Sequence, residues 1–303
     1  MKPSVLCFSG LDPSGGAGLG ADIESIVAAG AHASVVCTAL TVQDSQKVYG
    51  FTPVDAALAH TQANKVISDL KIDVYKSGML GTLDMIHMLA DLIRTSPRPY
   101  VCDPVLVANS GGALTDTQAD PMEVIRAYQS LLPLATLVTP NLPELARLSG
   151  TSDPERGARA LLEAGAGAVL IKRGHETHQF AHGHETQQPA HGHEMHQSAL
   201  DSEADCTLQN AAQKPSLIKN TLWQAGQDPI DLYVARLPAE FHGSGCSLAS
   251  YIAGRLACGS GLPIAYAEAE LWLQHGLKAA HKAQQKLGSS NRQLIPDRAS
   301  FKH

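Results

Sequence analysis

A glycine-rich segment near the N-terminus, Ser9–Asp22, has residue types that could bind a ligand through the backbone. Four of its glycines, Gly15, Gly16, Gly18 and Gly20, lie within six residues of one another. Glycine lets a ligand approach the backbone closely, and free N–H groups at the start of a following helix attract an anion. The stretch Gly16–Ala21 also fits the relaxed dinucleotide-binding pattern G-x-G-x-x-A, but the acidic residue expected about 20 positions later is missing. The segment therefore predicts a ligand-binding turn, with an ordinary tight turn as the alternative.

A second glycine-rich turn, His242–Ser247, stands immediately before a helical pattern near the C-terminus. Successive N–H groups in such a turn form a pocket for the charge that develops on a transferred phosphoryl group. Cys246 lies in the first turn of the predicted helix, where the helix field favours a thiolate. The alternative is an ordinary turn that contains a small buried cysteine, as free cysteines often are.

Acidic residues follow two of the strand-like segments. Asp103 comes directly after the apolar run Tyr100–Cys102, and a buried aspartate is costly unless it is paired or bound to a metal. Asn141 can cap the next helix, with Glu144 as the reciprocal member of a capping box. Glu144 could equally hold Mg²⁺ beside a triphosphate, so both interpretations of this residue stay open.

Short apolar runs that predict strands alternate along the chain with amphipathic stretches that predict helices. The strands are expected at Ser4–Ser9, Ala33–Leu40, Val74–Ser77, Tyr100–Cys102, Thr136–Val138, Ala168–Lys172, Leu217–Trp223 and Ile230–Leu237. The helices are expected at Ala21–Ala29, Pro53–Leu70, Leu83–Arg94, Ala119–Leu132, Glu144–Leu148, Glu155–Glu163, Ser244–Cys258 and Pro263–Leu287. This alternation predicts an α/β fold with a mainly parallel sheet that helices cover on both faces. Ligands bind beyond the carboxyl ends of such strands, where the residues above lie.

The composition is that of an ordinary soluble globular protein. The 303 residues are 44% hydrophobic and carry a formal charge of −6, which excludes a disordered acidic chain, a small disulfide scaffold and a basic nucleic-acid binder. The six cysteines lack metal-finger spacing and indicate reduced thiols in a cytoplasmic protein. No apolar stretch approaches the ~18 residues of a membrane span, so neither a membrane nor nucleic acid is an expected partner.

Taken together, the motifs resemble those of one kinase family. They are G-x-D-P-S-G-G-A-G-x-x-A-D at Gly10–Asp22, T-A-L-T-V-Q-D at Thr38–Asp44, K-x-G-M-L-G at Lys76–Gly81, D-P-V-x-V-A at Asp103–Ala108, L-V-T-P-N-L-P-E at Leu137–Glu144, V-L-I-K at Val169–Lys172 and H-G-S-G-C at His242–Cys246. In this order they closely resemble the hydroxymethylpyrimidine/phosphomethylpyrimidine kinases, a thiamine-biosynthesis family of the ribokinase-like superfamily. The resemblance implies a three-layer α/β/α sandwich that uses ATP and Mg²⁺. The implied substrates are 4-amino-5-hydroxymethyl-2-methylpyrimidine and its monophosphate, and a homodimer is expected.

The same resemblance implies a role for each candidate residue. The turn at Gly243, Ser244 and Gly245 would hold the transferring phosphoryl group, with Cys246 in the place where related kinases have an Asp base. Gln43 would read the aminopyrimidine edge, because its amide offers a donor and an acceptor side by side. The pyrimidine pocket would also include Gly10, Ala17, Asp22 and Met79. The nucleotide side would be formed by Asn141 and Lys172, and the metal side by Asp103 and Glu144.

A threefold nine-residue repeat, Gly174–Leu200, contains seven of the 14 histidines. Its H-E-x-H is one residue short of the zinc motif H-E-x-x-H, although histidine tracts bind Zn²⁺ or Ni²⁺ weakly. We expect one kinase domain over residues 1–287, interrupted by a low-complexity insertion at about 174–216, and a loosely held tail over 288–303. Three alternatives stay open: a pyridoxal kinase of the same fold, an NAD-dependent oxidoreductase, and a metal-binding protein built on the repeat. Cys246 argues against the first, since pyridoxal kinases usually have Asp there.

Overall fold

The computed structural model describes residues 2–106, 120–173, 216–287 and 293–300, with side chains described up to residue 281 of the last helix. The strands are β1 (Ser4–Leu11), β2 (His32–Gln43), β3 (Val48–Pro53), β4 (Val74–Ser77), β5 (Tyr100–Cys102), β6 (Leu137–Val138), β7 (Ala168–Ile171), β8 (Leu217–Gln224) and β9 (Ile230–Ala235). The helices are α1 (Gly18–Ala28), α2 (Ala56–Asp69), α3 (Leu83–Thr95), α4 (Pro121–Gln129), α5 (Leu142–Ser149), α6 (Pro154–Glu163), α7 (Ser244–Ala257) and α8 (Leu262–Leu287).

The described strands form one sheet in the order β3-β2-β1-β4-β5-β6-β7-β8-β9. The pairings from β2 through β1, β4, β5 and β6 to β7 are all parallel. Antiparallel pairings add β3 at one edge and β8 and β9 at the other. The chain proceeds outward from β1 in both directions, so the carboxyl ends of the parallel strands share one edge, where an open sheet of this kind binds its ligand.

Helices cover both faces of this sheet, as the alternation of strands and helices predicts. Along β1, Leu6 and Phe8 belong to the core beneath α2–α6, whereas Val5 and Cys7 belong to the core beneath α1, α7 and α8. Successive strand residues point to opposite faces, so a strand buried on both sides must be apolar throughout. The three-layer α/β/α arrangement implied by the family resemblance is confirmed.

The edge strand β3 is the main element that the sequence pattern does not predict. The expected helix from Pro53 begins instead at Ala56, because β3 extends to Pro53 and the carboxylate of Asp55 caps the helix by accepting from the amide of Leu58 at 2.8 Å. In β3 the side chain of Tyr49 is 64% exposed while Val48 is buried. An edge strand with so little buried surface has too few apolar positions to produce a clear period-two signal.

The segment 293–300 is held against the domain, contrary to the expectation of a loose tail. Leu294 forms a bridge with Phe241, and its carbonyl oxygen accepts from the amide of His242 at 2.8 Å. The amide of Asp297 donates to the carbonyl oxygen of Gly276 on α8 at 3.1 Å. The histidine repeat Gly174–Leu200 and residues 288–292 and 301–303 lie outside the described residues. Of the described helices, none combines the length and apolar character needed to cross a membrane.

Candidate active site

One cavity lies at the carboxyl edge of the parallel strands and brings together twelve of the thirteen residues predicted for the site. Those twelve are Gly10, Ala17, Gln43, Met79, Asp103, Asn141, Glu144, Lys172, Gly243, Ser244, Gly245 and Cys246. Eight of them lie at the carboxyl end of a parallel strand or within six residues after it, which explains why residues far apart in sequence meet here. The exception is Asp22, which is fully buried beneath the cavity.

The two glycine-rich turns pack directly against each other. A Cβ at Gly243 would collide with the carbonyl oxygen of Gly16, and the φ of Gly243 is 77°, so both space and backbone conformation favour glycine there. Asp12 joins the turns: its Oδ2 lies 2.8 Å from His242 Nε2 and accepts from the amide of Ala17 at 2.8 Å. Burial raises the pKa of Asp12, but the hydrogen bonds from His242, Ser14 and Ala17 outweigh burial and bring it below its usual value.

Cys246 lies in the first turn of α7, which begins at Ser244 as the sequence predicts within a residue. Burial and the nearby carboxylate of Asp103 raise the pKa of its thiol, which lies at about 11 even though Lys76 and Lys172 oppose the rise. The expected thiolate is therefore disfavoured at neutral pH, because desolvation and a neighbouring negative charge outweigh the helix field. The group at this position is a neutral thiol.

Asp103 and Lys172 form a buried ion pair at the charged end of the cavity. Lys172 Nζ lies 2.5 Å from Asp103 Oδ1, which also accepts from the hydroxyl of Thr139 at 2.9 Å. Burial lowers the pKa of Lys172, but the carboxylates of Asp103 and Glu144 more than reverse this, so the ammonium stays charged. A Cβ at Gly245 would lie 3.1 Å from Lys172 Nζ, which places a fixed positive charge beside the α7 turn.

Glu144 and Asn141 form the predicted capping box at the start of α5. The amide of Glu144 donates to Asn141 Oδ1 at 2.8 Å, and the amide of Asn141 donates to Glu144 Oε2 at 2.9 Å. Burial raises the pKa of Glu144 to about 7, Lys172 opposes that rise and Asp103 adds to it. A carboxyl group that is this costly to ionise gains from a nearby cation.

The opposite part of the cavity holds the residues expected to bind a pyrimidine. Met79 packs on Gly10, since a Cβ at Gly10 would lie 3.0 Å from Met79 Sδ. Gln43 ends β2 and lines the same cavity as Ala17. A flat polar ring would fit here, because it could pack on the sulfur of Met79, approach the backbone of Gly10 closely and hydrogen-bond to the side-chain amide of Gln43.

A buried ion pair lies behind this wall. Lys76 Nζ is 2.7 Å from Asp22 Oδ1, both side chains are fully buried, and the hydroxyl of Ser250 on α7 donates to the same oxygen at 2.6 Å. Asp22 therefore ties β4, α1 and α7 together, and it is not among the residues that line the cavity. A fully buried carboxylate needs a cation next to it, and Oδ1 has one in Lys76, whereas the buried Oδ2 has no hydrogen-bond partner among the described residues. The contact of Asp22 with the pyrimidine stays a prediction.

The structure also adds residues that sequence reasoning missed. An apolar extension of the cavity is formed by Ile218, Val234, Leu273 and Leu277, with Asn220, Glu270 and Gln274 as its polar groups. Asn220 donates to Glu270 Oε1 at 2.6 Å and accepts from the amide of Arg173 at 2.8 Å. These residues come from β8, β9 and α8, where only their long-range pairing brings them to the site, so no local motif could have indicated them.

The acidic residues fit a magnesium ion bound together with a nucleotide. Among the described residues no three potential metal-ligating acidic, histidine or cysteine side chains cluster. Magnesium in kinases is usually held by one or two carboxylates, with phosphate oxygens and water completing the shell. Asp103 and Glu144 supply two carboxylates at one end of the cavity, so the donor set fits that mode.

A family model and several known proteins match most of this chain. Residues 12–291 match the family model described as phosphomethylpyrimidine kinase. A hydroxymethylpyrimidine/phosphomethylpyrimidine kinase from Streptomyces coelicolor is 31% identical over 91% of this chain and 89% of its own length. One from Rhizobium meliloti is 31% identical over 93% of each chain.

Solved structures share the fold. A Bacillus subtilis pyridoxal kinase in complex with ADP aligns with a TM-score of 0.73 and 21% identity, covering 99% of this chain and 98% of its own. A Clostridium difficile phosphomethylpyrimidine kinase aligns with a TM-score of 0.65 and 24% identity, covering 91% of this chain and 100% of its own. At these identities the likeness establishes the ribokinase-like fold and leaves the substrate to other arguments.

Proposed function

This chain belongs to the phosphomethylpyrimidine kinase family, and from that membership we propose that it uses ATP to phosphorylate 4-amino-5-hydroxymethyl-2-methylpyrimidine and then the resulting monophosphate. The observation that carries the proposal is that one cavity is lined by residues of both glycine-rich turns, by the pair Asp103–Lys172 and by Gln43. An oxidoreductase that used only Gly16–Ala21 would leave the second turn and the charged end without a role.

The charged end of the cavity is suited to phosphoryl transfer. This reaction depends mainly on positioning and on stabilising negative charge in the transition state. The amides at the start of α7 would face the transferring phosphoryl group, and the ammonium of Lys172, held by Asp103, would balance its charge. Asn141 lines the same end and would contact the nucleotide phosphates.

Cys246 would orient the substrate hydroxyl rather than act as a standing base. With a pKa of about 11 the thiol is protonated at neutral pH, so it can donate or accept a hydrogen bond but holds little thiolate. A loose transition state develops little demand for proton abstraction until bond formation is well advanced. A neutral thiol is therefore compatible with the proposed transfer.

The chemistry that a bound magnesium ion would supply here is positive charge to offset the negative charge of the phosphate groups. Asp103 and Glu144 are the residues that would hold it, directly or through water. We further propose, as the family resemblance implies, a cytoplasmic homodimer whose kinase domain spans residues 1–287 with an insertion at about 174–216. The segment 293–300 belongs with that domain, because it packs against Phe241 and α8.

The proposal is tested by offering ATP·Mg²⁺ with hydroxymethylpyrimidine, its monophosphate and pyridoxal in parallel assays. We expect turnover of both pyrimidines, and absence of turnover with either one would refute the proposed function. Faster turnover of pyridoxal than of the pyrimidines would favour the pyridoxal kinase alternative, whose fold the solved structures share.

Gln43→Ala is expected to raise KM for the pyrimidine by about tenfold or more, because one or two hydrogen bonds to the ring are worth roughly 1–3 kcal/mol. Its KM for ATP should stay within about twofold, since Gln43 lies at the end of β2, away from Lys172. The measurement is steady-state kinetics with each substrate varied in turn. An equal rise in both KM values would contradict the role of Gln43. Thr61→Ala, an exposed change on α2, is the control.

A further inference from the structure

Arg298 is an almost completely buried arginine in the segment 293–300, with only 5% of its surface exposed. Its guanidinium donates to four acceptors: the carbonyl oxygens of Gly15 (3.2 Å) and Gly16, the hydroxyl of Ser247 (2.8 Å) and the carboxylate of Glu24 (2.9 Å). Three of these acceptors belong to the glycine-rich turns or to the first turns of α7. Arg298 itself is not one of the residues that line the cavity.

These contacts complete a ring of hydrogen bonds around both turns. The peptide between Gly16 and Ala17 is held at both ends, because Arg298 binds its carbonyl oxygen and Asp12 accepts from its N–H at 2.8 Å. Asp12 also pairs with His242 at 2.8 Å.

The ring closes on the other side through α7. The hydroxyl of Ser247 accepts from Arg298 and donates to the carbonyl oxygen of Gly243 at 2.8 Å. Gly243 is the neighbour of His242 in the chain, so the two turns are joined at two separate points, Asp12–His242 and Arg298–Ser247. Removal of either link would let one turn shift against the other.

Arg298 reaches this position because the residues before it, at Leu294, pair with the residues at the start of the second turn. Leu294 accepts from the amide of His242 at 2.8 Å and donates to the carbonyl oxygen of Glu240 at 2.8 Å. The segment is therefore in register with the strand-like approach to the turn. A guanidinium suits the position because it offers five donors in a rigid plane and no acceptor, whereas a lysine offers three donors on a flexible stem.

We propose that Arg298 is a positioning residue that fixes the spacing between the two glycine-rich turns and so pre-organises the phosphoryl-binding turn Gly243–Cys246. The inference rests on the proposed kinase function and deepens it. None of the four acceptors of Arg298, the carboxylate of Glu24 included, belongs to a residue that lines the cavity, so its effect on the reaction passes through the turns. Loss of Arg298 should therefore affect kcat more than substrate binding.

The test compares wild type, Arg298→Ala, Arg298→Lys and the control Arg94→Ala, a half-exposed arginine on α3 that pairs with Asp91. Arg298→Ala is expected to lower kcat by about 100-fold, the effect of a misplacement near 1 Å, while KM for the pyrimidine changes less than about threefold. The kcat of Arg298→Lys should lie between those of wild type and Arg298→Ala. Millimolar guanidinium should restore part of the kcat of Arg298→Ala and leave that of Arg94→Ala unchanged.

A second measurement does not depend on turnover. Amide hydrogen exchange of peptides that cover Gly15–Ala17 and Gly243–Ser247 should be faster in Arg298→Ala than in wild type, while peptides from α3 stay unchanged. If wild type fails to phosphorylate either pyrimidine, the proposed function fails, and this exchange comparison still decides the role of Arg298. Unchanged exchange in both turns, or an activity loss that neither guanidinium nor Arg298→Lys relieves, would overturn the inference.

Discussion

Glu270 is a buried carboxyl group that lies apart from the pair Asp103–Lys172, and its surroundings oppose its ionisation. Its exposed surface is 3%, burial raises its pKa to about 7, and the amide of Asn220 opposes that rise only in part. The phenol of Tyr266, on the same helix, is the other titratable group that interacts with it. Glu270 is therefore protonated in the folded protein at pH values where it is ionised in the unfolded chain.

This difference in protonation predicts a stability change with pH. Because the folded-state pKa is raised, the stability linked to Glu270 is complete below the ordinary carboxyl pKa and is lost as pH rises through about 7. Glu270→Gln keeps the acceptor for Asn220 but cannot ionise. We expect it to be more stable than wild type at pH 8, by about 3 kcal/mol given 1.36 kcal/mol per pKa unit, and close to wild type at pH 4. Urea unfolding across this pH range measures the difference.

The control for that comparison is Glu268→Gln, two residues away on α8, where the carboxylate is 40% exposed and pairs with Arg255. This variant controls for the loss of one carboxylate from the same helix. If the unfolding curves of wild type and Glu270→Gln were parallel between pH 4 and 8, the pKa of the buried carboxyl would be the same in the folded and unfolded states, and the argument from burial would be wrong.

At the scale of elements, the contact between α1 and α7 decides where the two glycine-rich turns lie, because each helix begins directly after or within one turn. Gly254 of α7 faces α1: a Cβ at this position would lie 2.6 Å from Ala29 Cβ and 3.3 Å from Ile26 Cα. Neither neighbour can move out of the way as a flexible side chain could. The absence of a side chain at Gly254 therefore sets the distance between the helices.

Gly254→Ala is expected to destabilise the protein by about 1–3 kcal/mol, because overpacking forces backbone shifts. It should also lower kcat, since α7 would carry Gly243–Cys246 away from the turn at Gly16. Thermal unfolding and steady-state kinetics are the measurements. Gly261→Ala, where a Cβ meets nothing within 4 Å, is the matched control and should leave both quantities nearly unchanged. Equal stability of the two variants would mean that the helices adjust freely.

The elements that carry the site were predictable because their signals are local. Apolar runs marked the parallel strands, and the side chains that follow them, such as Asp103 and Lys172, meet because parallel strands end at one edge. What escaped prediction depends on contacts between distant parts of the chain. Asp22 pairs with Lys76 behind the cavity lining, burial raises the pKa of the Cys246 thiol, and Arg298 reaches the turns from a segment without periodicity.

At the scale of the whole molecule, the sheet brings the two ends of the histidine-rich connection close together. Strands β7 and β8 pair antiparallel, with Ile171 opposite Thr221, and the amide of Arg173 donates to Asn220 Oδ1 at 2.8 Å. The described chain stops at Arg173 and resumes at Ser216, on neighbouring strands of one hairpin. Such a pair of ends can be joined by a connection of only a few residues.

Deletion of Gly174–Leu200 is therefore expected to leave the fold and the kinase turnover intact. Residues 201–215 remain to join the strands, and shortening the connection from 42 residues to 15 lowers the entropy cost of closing it by only about 1 kcal/mol. We expect the deletion variant to unfold at an equal or slightly higher urea concentration and to keep kcat within about threefold of wild type. If the protein were instead a metal-binding protein built on the repeat, the deletion would abolish its function, because it removes seven of the 14 histidines. Loss of phosphorylation in a variant that still unfolds cooperatively would show that the segment takes part in the reaction.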